Sequence, residues 1–195
     1  MPKKDTRNTR MRIVNAAWAL FYKYGYENTT VEDIVFESET SRGSFYHYFK
    51  GKDELLNTLS SLFDSKYQEL EPSLSDYSSA YEKLIYLNRE LFNMLENNVS
   101  MDLLARLYSS QLTTSGDKTL LDHNRFYYKL LRKIVIEGKE NGEFAPEITV
   151  NEIVRAYAMC ERALISEWCL SKGEYSLTGD SEQILPRLLS GWLNA

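Results

Sequence analysis

Ser41-Arg42-Gly43-Ser44-Phe45-Tyr46-His47-Tyr48-Phe49, followed by Lys50-Gly51-Lys52-Asp53-Glu54-Leu55-Leu56, is the stretch whose reading decides the fold. Ser41 supplies a hydroxyl suited to capping a helix start, and Phe45 and Phe49, four residues apart, make one apolar edge of a short helix. The opposite face carries Arg42, Ser44, Tyr46 and His47. All four donate hydrogen bonds of the kind that meet phosphate oxygens or base edges in a major groove. The stretch reads as a recognition helix.

Such a helix needs partners, and the residues before it provide two. Thr30-Val31-Glu32-Asp33-Ile34-Val35-Phe36-Glu37-Ser38 reads as a short helix opened by a capping box, with Asp33 three residues after Thr30. Val31, Ile34 and Val35 give it a narrow apolar stripe. Earlier, Ile13, Ala16, Ala17, Leu20, Phe21 and Tyr24 recur at helical spacing and stop at Gly25, a helix-ending glycine. Only Ser38-Glu39-Thr40 separates the second helix from the third, which fits the tight turn of a helix-turn-helix.

The order Arg12-Ile13, Ala16-Ala17, Phe21, Gly25-Tyr26, Thr29-Thr30-Val31, Asp33-Ile34, Ser41-Arg42-Gly43-Ser44-Phe45-Tyr46, Tyr48-Phe49, Lys52-Asp53-Glu54-Leu55-Leu56 resembles the TetR family of bacterial repressors. The resemblance covers the N-terminal 56 residues. It implies a homodimeric, ligand-released repressor on a palindromic operator. Residues 1–52 would form the helix-turn-helix domain, and 53–195 a helical effector-binding and dimerisation domain. On the matching positions Ser41 would cap the recognition helix and meet a phosphate, and Arg42 and Ser44 would read base edges. Gly43 would allow close backbone approach, and Tyr46, His47 and Tyr48 would hold phosphates, with Thr30 and Lys52 clamping the flanks. In the turn the family usually places a small residue, a glycine and an aliphatic residue, where this chain has Ser38-Glu39-Thr40. Glu39 would then adopt a left-handed conformation at a cost of about 1 kcal/mol.

Composition fits this division. The 195 residues are 43% hydrophobic, enough to bury a real core, and carry a net charge of -5. Residues 1–52 hold nine Lys and Arg against six Asp and Glu, a local charge of +3, so the rest carries -8. A basic end can neutralise phosphates while an acidic body repels DNA. Lys3, Lys4, Arg7, Arg10 and Arg12 fit either a DNA-contacting arm or a solvated tail. They precede an amphipathic helix and not an unbroken apolar run, unlike a signal peptide, and no segment is long and apolar enough to span a bilayer. The expected compartment is the cytoplasm, with no membrane partner.

Beyond Lys52 the pattern stays helical, so the fold class is all-α with about nine helices. Leu55, Leu59, Leu62, Phe63 and Leu70 continue a connecting helix to Pro72, and a polar stretch over Ser73 to Ser79 acts as a joint. Helices follow over Tyr77 to Leu95, Met101 to Leu112, Thr119 to about Lys139, Val150 to about Leu170 and Ser181 to Leu193. Thr149 and Asp180 are plausible caps, and Pro186 predicts that the last helix starts near Ile184 or bends there. The helix from Val150 is apolar on two faces. One stripe can face its own domain; the other, with Val154 and Ile165, joined by Leu185, Leu188, Leu189 and Trp192, could face a second subunit. In the resembled family these two helices form the dimer interface.

The chain has 14 Tyr and 3 Trp. Phe63, Tyr67, Tyr86, Tyr108, Phe126, Tyr127, Tyr157 and Trp168 could line an aromatic small-molecule cavity, although aromatics at helical spacing equally build an ordinary core. Glu90 and Glu161 interrupt apolar stripes. Either could serve an aromatic or cationic effector, but pairing with Arg89 or Arg162, or pointing to solvent, is the preferred reading. His47 and His123 are the only histidines, and neither has partners at metal-ligand or catalytic-triad spacing, so no metal, cofactor or enzymatic activity is expected. Cys160 and Cys169 lie about 13 Å apart along one helix at 1.5 Å per residue, too far to bond, and read as reduced thiols. A body that binds a protein partner in place of a small molecule is the alternative.

Overall fold

The computed structural model describes residues 6–113 and 118–194, and within them the chain is built of α-helices. Two compact units divide it, residues 1–59 and 60–195. The helices are α1 (Thr6–Tyr24), α2 (Val31–Glu37), α3 (Arg42–Tyr48), α4 (Lys52–Leu56), α5 (Leu59–Leu70), α6 (Ala80–Asn98), α7 (Met101–Thr113), α8 (Phe126–Glu140), α9 (Val150–Leu170) and α10 (Leu177–Ser190). Lys3 and Lys4 lie outside the described residues, as does the Arg7 side chain.

In the first unit α1, α2 and α3 pack on a core of Ile13, Ala17, Phe21, Ile34, Phe45 and Phe49, each less than a tenth exposed. Gly25 ends α1 at φ 83, with its amide bonded to the Phe21 carbonyl. A side chain would be strained there. Thr30 opens α2 with a complete capping box: its hydroxyl accepts from the Asp33 amide, and the Asp33 carboxylate accepts from the Thr30 amide.

The expected continuous helix from Lys52 to Leu70 is interrupted. Asn57 and Thr58 form a turn between α4 and α5, where the Thr58 hydroxyl bonds back to the Leu55 carbonyl and accepts the Trp18 indole N–H at 2.9 Å. A threonine that turns its hydroxyl onto the preceding backbone competes with helical continuation.

In the second unit the buried stripes of α6, α8, α9 and α10 meet around Leu84, Leu87, Leu91, Leu131, Ile134, Ile153, Tyr157 and Leu185, with α7 packed on α9. The expected joint over Ser73 to Ser79 overlaps a 3-10 turn over Glu71–Asp76, and Ser79, with Glu82, caps α6 at Ala80 and not at Tyr77. The segment from Thr119 resolves into a 3-10 turn over Thr119–Leu121 and α8. Gly138 lets α8 pack closely: a Cβ there would lie 2.5 Å from the Phe144 ring and 2.6 Å from Ala80.

The last helix departs most from expectation. It begins at Leu177, where the Ser176 hydroxyl accepts from the Gly179 amide, and runs through Pro186. The amide lost at Pro186 would have served Glu182, an exposed position at which solvent can satisfy the carbonyl. After α10 the chain pairs with the loop before α9, the Ala145 amide donating to the Trp192 carbonyl at 2.8 Å and the Asn194 amide to that of Glu143 at 2.8 Å.

Candidate nucleic-acid interface and effector cavity

Residues of α3 divide as the phenylalanine spacing requires. Phe45 and Phe49 are buried, with ring centroids 5.8 Å apart, while Ser41, Arg42, Gly43, Tyr46 and His47 are exposed and Ser44 and Tyr48 half-buried. Ser41 caps α3 by accepting the Ser44 amide at 3.0 Å, and the two hydroxyls share a hydrogen at 2.8 Å. The Arg42 guanidinium lies 3.2 Å from the Glu32 carboxylate and over the Tyr46 ring, tying the outer face of α3 to α2. His47 meets Tyr48 edge to face. A Cβ on Gly43 would meet nothing closer than 3.8 Å, so the fold itself leaves this position open.

Glu39 takes φ 49 in the turn, the left-handed conformation expected from the missing glycine. Arg12 braces it from α1, donating to the carbonyl oxygens of Ser38 at 2.6 Å and Glu39 at 2.9 Å. Arg12 therefore serves the turn. Arg10, by contrast, is exposed and lies over the Phe49 ring at 5.3 Å.

Two expected phosphate clamps have other work. The Lys52 ammonium donates to the carbonyls of Tyr26 at 2.9 Å and Thr29 at 3.1 Å, reaches that of Glu27 at 3.5 Å, and sits over the Tyr26 ring. An ammonium has three hydrogens, and these carbonyls use them. The Thr30 hydroxyl likewise gives its hydrogen to Asp33 at 2.6 Å while capping α2. Both residues shape the connection from α1 to α2, with Tyr26 fixed in addition by a hydrogen bond from its hydroxyl to Asp53.

In the second unit an open-sided cavity of about 710 Å³ lies between α7, the Thr119–Leu121 turn and α9. Its wall is mainly aliphatic, with Ala105, Leu112, Leu120, Leu121, Ala163 and Leu170; its charged lining groups among the described residues are Lys118 and Arg162. Leu112, Leu121 and Leu170 are half or more exposed at its edge. Burial pushes the Cys169 thiol, also in the wall, up to about 11, so it is a protonated, unreactive wall group.

Tyr108, Leu120 and Arg162 also wall a second cavity of about 30 Å³, lined further by Phe63, Tyr67, Leu91, Arg125, Tyr127, Glu161 and Ile165. Glu161 is 3% exposed. Its carboxylate accepts from the Tyr127 hydroxyl at 2.6 Å, the Asn88 amide at 2.9 Å and, at the 3.5 Å limit, the Tyr67 hydroxyl. Burial raises its pKa above the ordinary carboxylate value, against the lowering effect of the bonds from Tyr127 and Asn88 and of the Arg162 charge. Burial, then the neighbouring Glu161 charge, raises Tyr67, Tyr108, Tyr127 and Tyr157, which stay neutral donors.

Of the expected cavity residues, Phe63, Tyr67, Tyr108 and Tyr127 gather at these cavities. Tyr157 adjoins Glu161 but gives its hydroxyl hydrogen to the Leu84 carbonyl, and Trp168 donates to the Tyr175 carbonyl. Tyr86 lies elsewhere, stacked on Tyr77, and Glu90 pairs with Arg89 at 3.2 Å. Phe126 opens α8 half-buried and outside both walls. The preferred pairing of Glu161 with Arg162 is replaced by the tyrosine and Asn88 bonds, while Arg162 donates to the Tyr128 hydroxyl at 3.0 Å. A cationic effector loses its basis in the large cavity, whose charged lining is positive.

The expected interface residues are mostly internal. Val154, Ile165, Leu185 and Leu189 are at most 3% exposed, because each lies on the helix stripe that packs into its own unit; Leu188 and Trp192 are half-buried. The accessible apolar side chains of α9 and α10 are Met159, Leu170 and Ile184. Lys118, Arg125 and Arg162 were missed. Arg162 directly follows Glu161, but adjacency on a helix does not tell which of the two turns inward.

A braced helix-turn-helix whose outer face is left to polar donors, followed in the chain by an all-helical unit with an apolar cavity, defines a DNA-binding regulator. Residues 13–59 match the family model of bacterial regulatory proteins of the tetR family, and residues 61–191 match that of the YsiA-like protein C-terminal region. The chain belongs to the TetR family of bacterial regulatory proteins. It is a DNA-binding transcriptional regulator, in a family whose members are typically dimeric. It is similar to the HTH-type transcriptional regulator HbdR of Aromatoleum sp. (strain CIB), 35% identical over 98% of this chain and 84% of that one. Among solved structures it is similar to the transcriptional regulator FadR of Bacillus subtilis in complex with stearoyl-CoA, with TM-score 0.69 and 25% identity over 93% of this chain and 98% of that one. Its fold is also that of Thermus thermophilus FadR in complex with lauroyl-CoA, with TM-score 0.76 and 23% identity over 95% of this chain and 96% of that one. No helix of the described residues is long and apolar enough to cross a membrane.

Proposed function

We propose that the effector is an acyl-CoA or a comparable amphipathic anion, held in the cavity between α7 and α9, and that its binding releases the repressor from a palindromic operator. The observation that carries this reading is the composition of the cavity wall: aliphatic side chains around a space of about 710 Å³, with Lys118 and Arg162 as its charged groups. An apolar chain replaces water against the leucines, and the cations meet phosphate or thioester oxygens. The acyl-CoA complexes of the two FadR proteins agree with it.

The operator is read by Arg42 and Ser44, with phosphates held by Ser41, Tyr46, His47 and Tyr48 and close approach at Gly43. Two copies joined through α9 and α10 present two such helices to the half-sites of one palindrome. The regulator acts in the cytoplasm and carries out no catalysis. Phe63 and Tyr67 place α5 in the wall of the small cavity, and α5 follows α4 directly in the chain, which gives the effector a covalent route to the DNA-binding unit. A differential affinity of about 100-fold between the two states suffices for release.

The test is operator binding at fixed salt with increasing lauroyl-CoA, for the wild type and Arg162→Leu. Release of the wild type, with a dose shifted at least about tenfold upward in the variant, is the expected result. Indifference of the wild type to acyl-CoAs of several lengths sinks the reading.

A further inference from the structure

We infer that the small cavity beside Glu161 is a hydroxyl-recognition subsite, and that the effector's apolar part carries a hydroxyl that enters it. This inference rests on the proposed amphipathic anion and specifies it.

The large cavity alone would serve a plain hydrocarbon chain. Behind its Tyr108, Leu120 and Arg162 wall lies about 30 Å³ of space whose lining sets a buried carboxylate, two arginines and three tyrosines among Phe63, Leu91 and Ile165. That volume is about the share of one water molecule in the liquid, and so of one hydroxyl. Burying a carboxylate there is costly unless its lone pairs are met. Glu161 meets two donors at good distance, Tyr127 and Asn88, whereas the Tyr67 hydroxyl stands at 3.5 Å, too long for a strong bond. A hydroxyl between Tyr67 and Glu161 would donate to the carboxylate and accept from the tyrosine, completing the weak side of the cluster.

Rigid partners on every side make the subsite selective. Asn88 is held from its other end by the Ser181 hydroxyl of α10, Tyr157 by the Leu84 carbonyl, and Arg125 by a two-pronged pair with Asp64 at 2.9 and 3.1 Å. A site that hydrogen-bonds a hydroxyl in this way discriminates against the analogue lacking it, because its buried polar groups are then left poorly paired. Tyr67 and Phe63 belong to α5, so the hydroxyl would bear directly on the helix that leads back to the DNA-binding unit.

The experiment compares calorimetric binding of dodecanoyl-CoA with its mid-chain and terminal hydroxy derivatives to the full chain. At least one hydroxy form is expected to bind about tenfold or more tightly than the parent, and the preference is expected to fall within about twofold in Tyr67→Phe and Glu161→Gln. Unfolding midpoints confirm that the variants fold; Tyr67→Phe carries the test if Glu161→Gln does not. Tight binding of the parent with no gain from any hydroxyl, or a preference that survives Tyr67→Phe, overturns the subsite while leaving the acyl-CoA reading intact. Failure of every CoA ester to bind overturns both.

Discussion

The Arg12 guanidinium donates to the Ser38 carbonyl oxygen at 2.6 Å, joining α1 to the turn between α2 and α3 across 26 residues. It thereby holds Glu39, the one non-glycine residue with positive φ among the described residues of the DNA-binding unit. Arg12→Ala is expected to lower stability by about 1–2 kcal/mol and to weaken binding to every DNA sequence alike. Glu39→Gly in the Arg12→Ala background is expected to restore about 1 kcal/mol. Thermal unfolding of the single and double variants measures both; a glycine that further destabilises would show the turn is unstrained.

Arg42 and Tyr46 share the exposed face of α3 but should fail differently. Arg42→Ala removes a side chain about two-thirds exposed and should leave stability unchanged, cost about 1–3 kcal/mol of operator affinity and relax base preference. Tyr46→Phe should weaken all sequences uniformly. Selection from randomised operators separates the outcomes, and equal sequence-blind losses would remove Arg42 as a reader.

Lys52 is a brace in the free protein, so its replacement should act on folding and not on counterion release. Lys52→Met is expected to lower the unfolding midpoint while the salt dependence of operator binding keeps its slope. A shallower slope, by about one ion, would return Lys52 to the phosphate-binding set.

Asp64 and Arg125 fasten α5 to the start of α8 beside the small cavity. Asp64→Asn should preserve operator and effector binding separately while reducing their coupling, from about 100-fold to below about 10-fold. Effector titrations with and without operator DNA read the coupling directly; unchanged coupling would place the transmission elsewhere.

Stability should carry opposed pH signatures. Burial holds Glu161 above its ordinary 4.5, so the folded chain keeps a proton that the unfolded chain releases, and the carboxyl's contribution falls as pH rises from 4.5 through the folded value. The capping carboxylates Asp33, Glu82 and Glu152 are lowered by bonds from Thr30, from Ser78 and Ser79, and from Thr149. Their contribution is present above their ordinary values and lost as pH falls through the folded ones. Glu161→Gln should therefore flatten the decline above pH 4.5 and leave the acid limb unchanged in denaturant titrations across pH.

Local signals in the sequence carried the reading where capping and periodicity agree. Thr149 placed the start of α9 at Val150, and the alternation of Phe45 and Phe49 with polar residues placed the faces of α3. Pro186 misled because it weakens one bond of a helix whose packing through Leu177, Ser181, Leu185 and Leu189 sustains it; Ser176, three residues before Gly179, was the available start signal. The interface residues failed for a related reason. A helix apolar on two stripes shows that it is covered twice, but α7, α8 and α10 cover α9 within one chain, and only solvent exposure reveals Met159, Leu170 and Ile184 as the remainder. Cavity residues such as Arg125 and Arg162 come together from distant segments, which periodicity along a single helix cannot express.

The pairing of Arg42 with Glu32 has a kinetic side. While the two are joined, the recognition helix presents a neutralised tip, and a phosphate that takes Arg42 must first displace the carboxylate. A base edge offering two acceptors must do the same, so the carboxylate weakens the hold of Arg42 on phosphate and base alike. Glu32→Gln is therefore expected to slow dissociation from random-sequence duplex, and an unchanged dissociation rate would show that the pair does not hold Arg42 back.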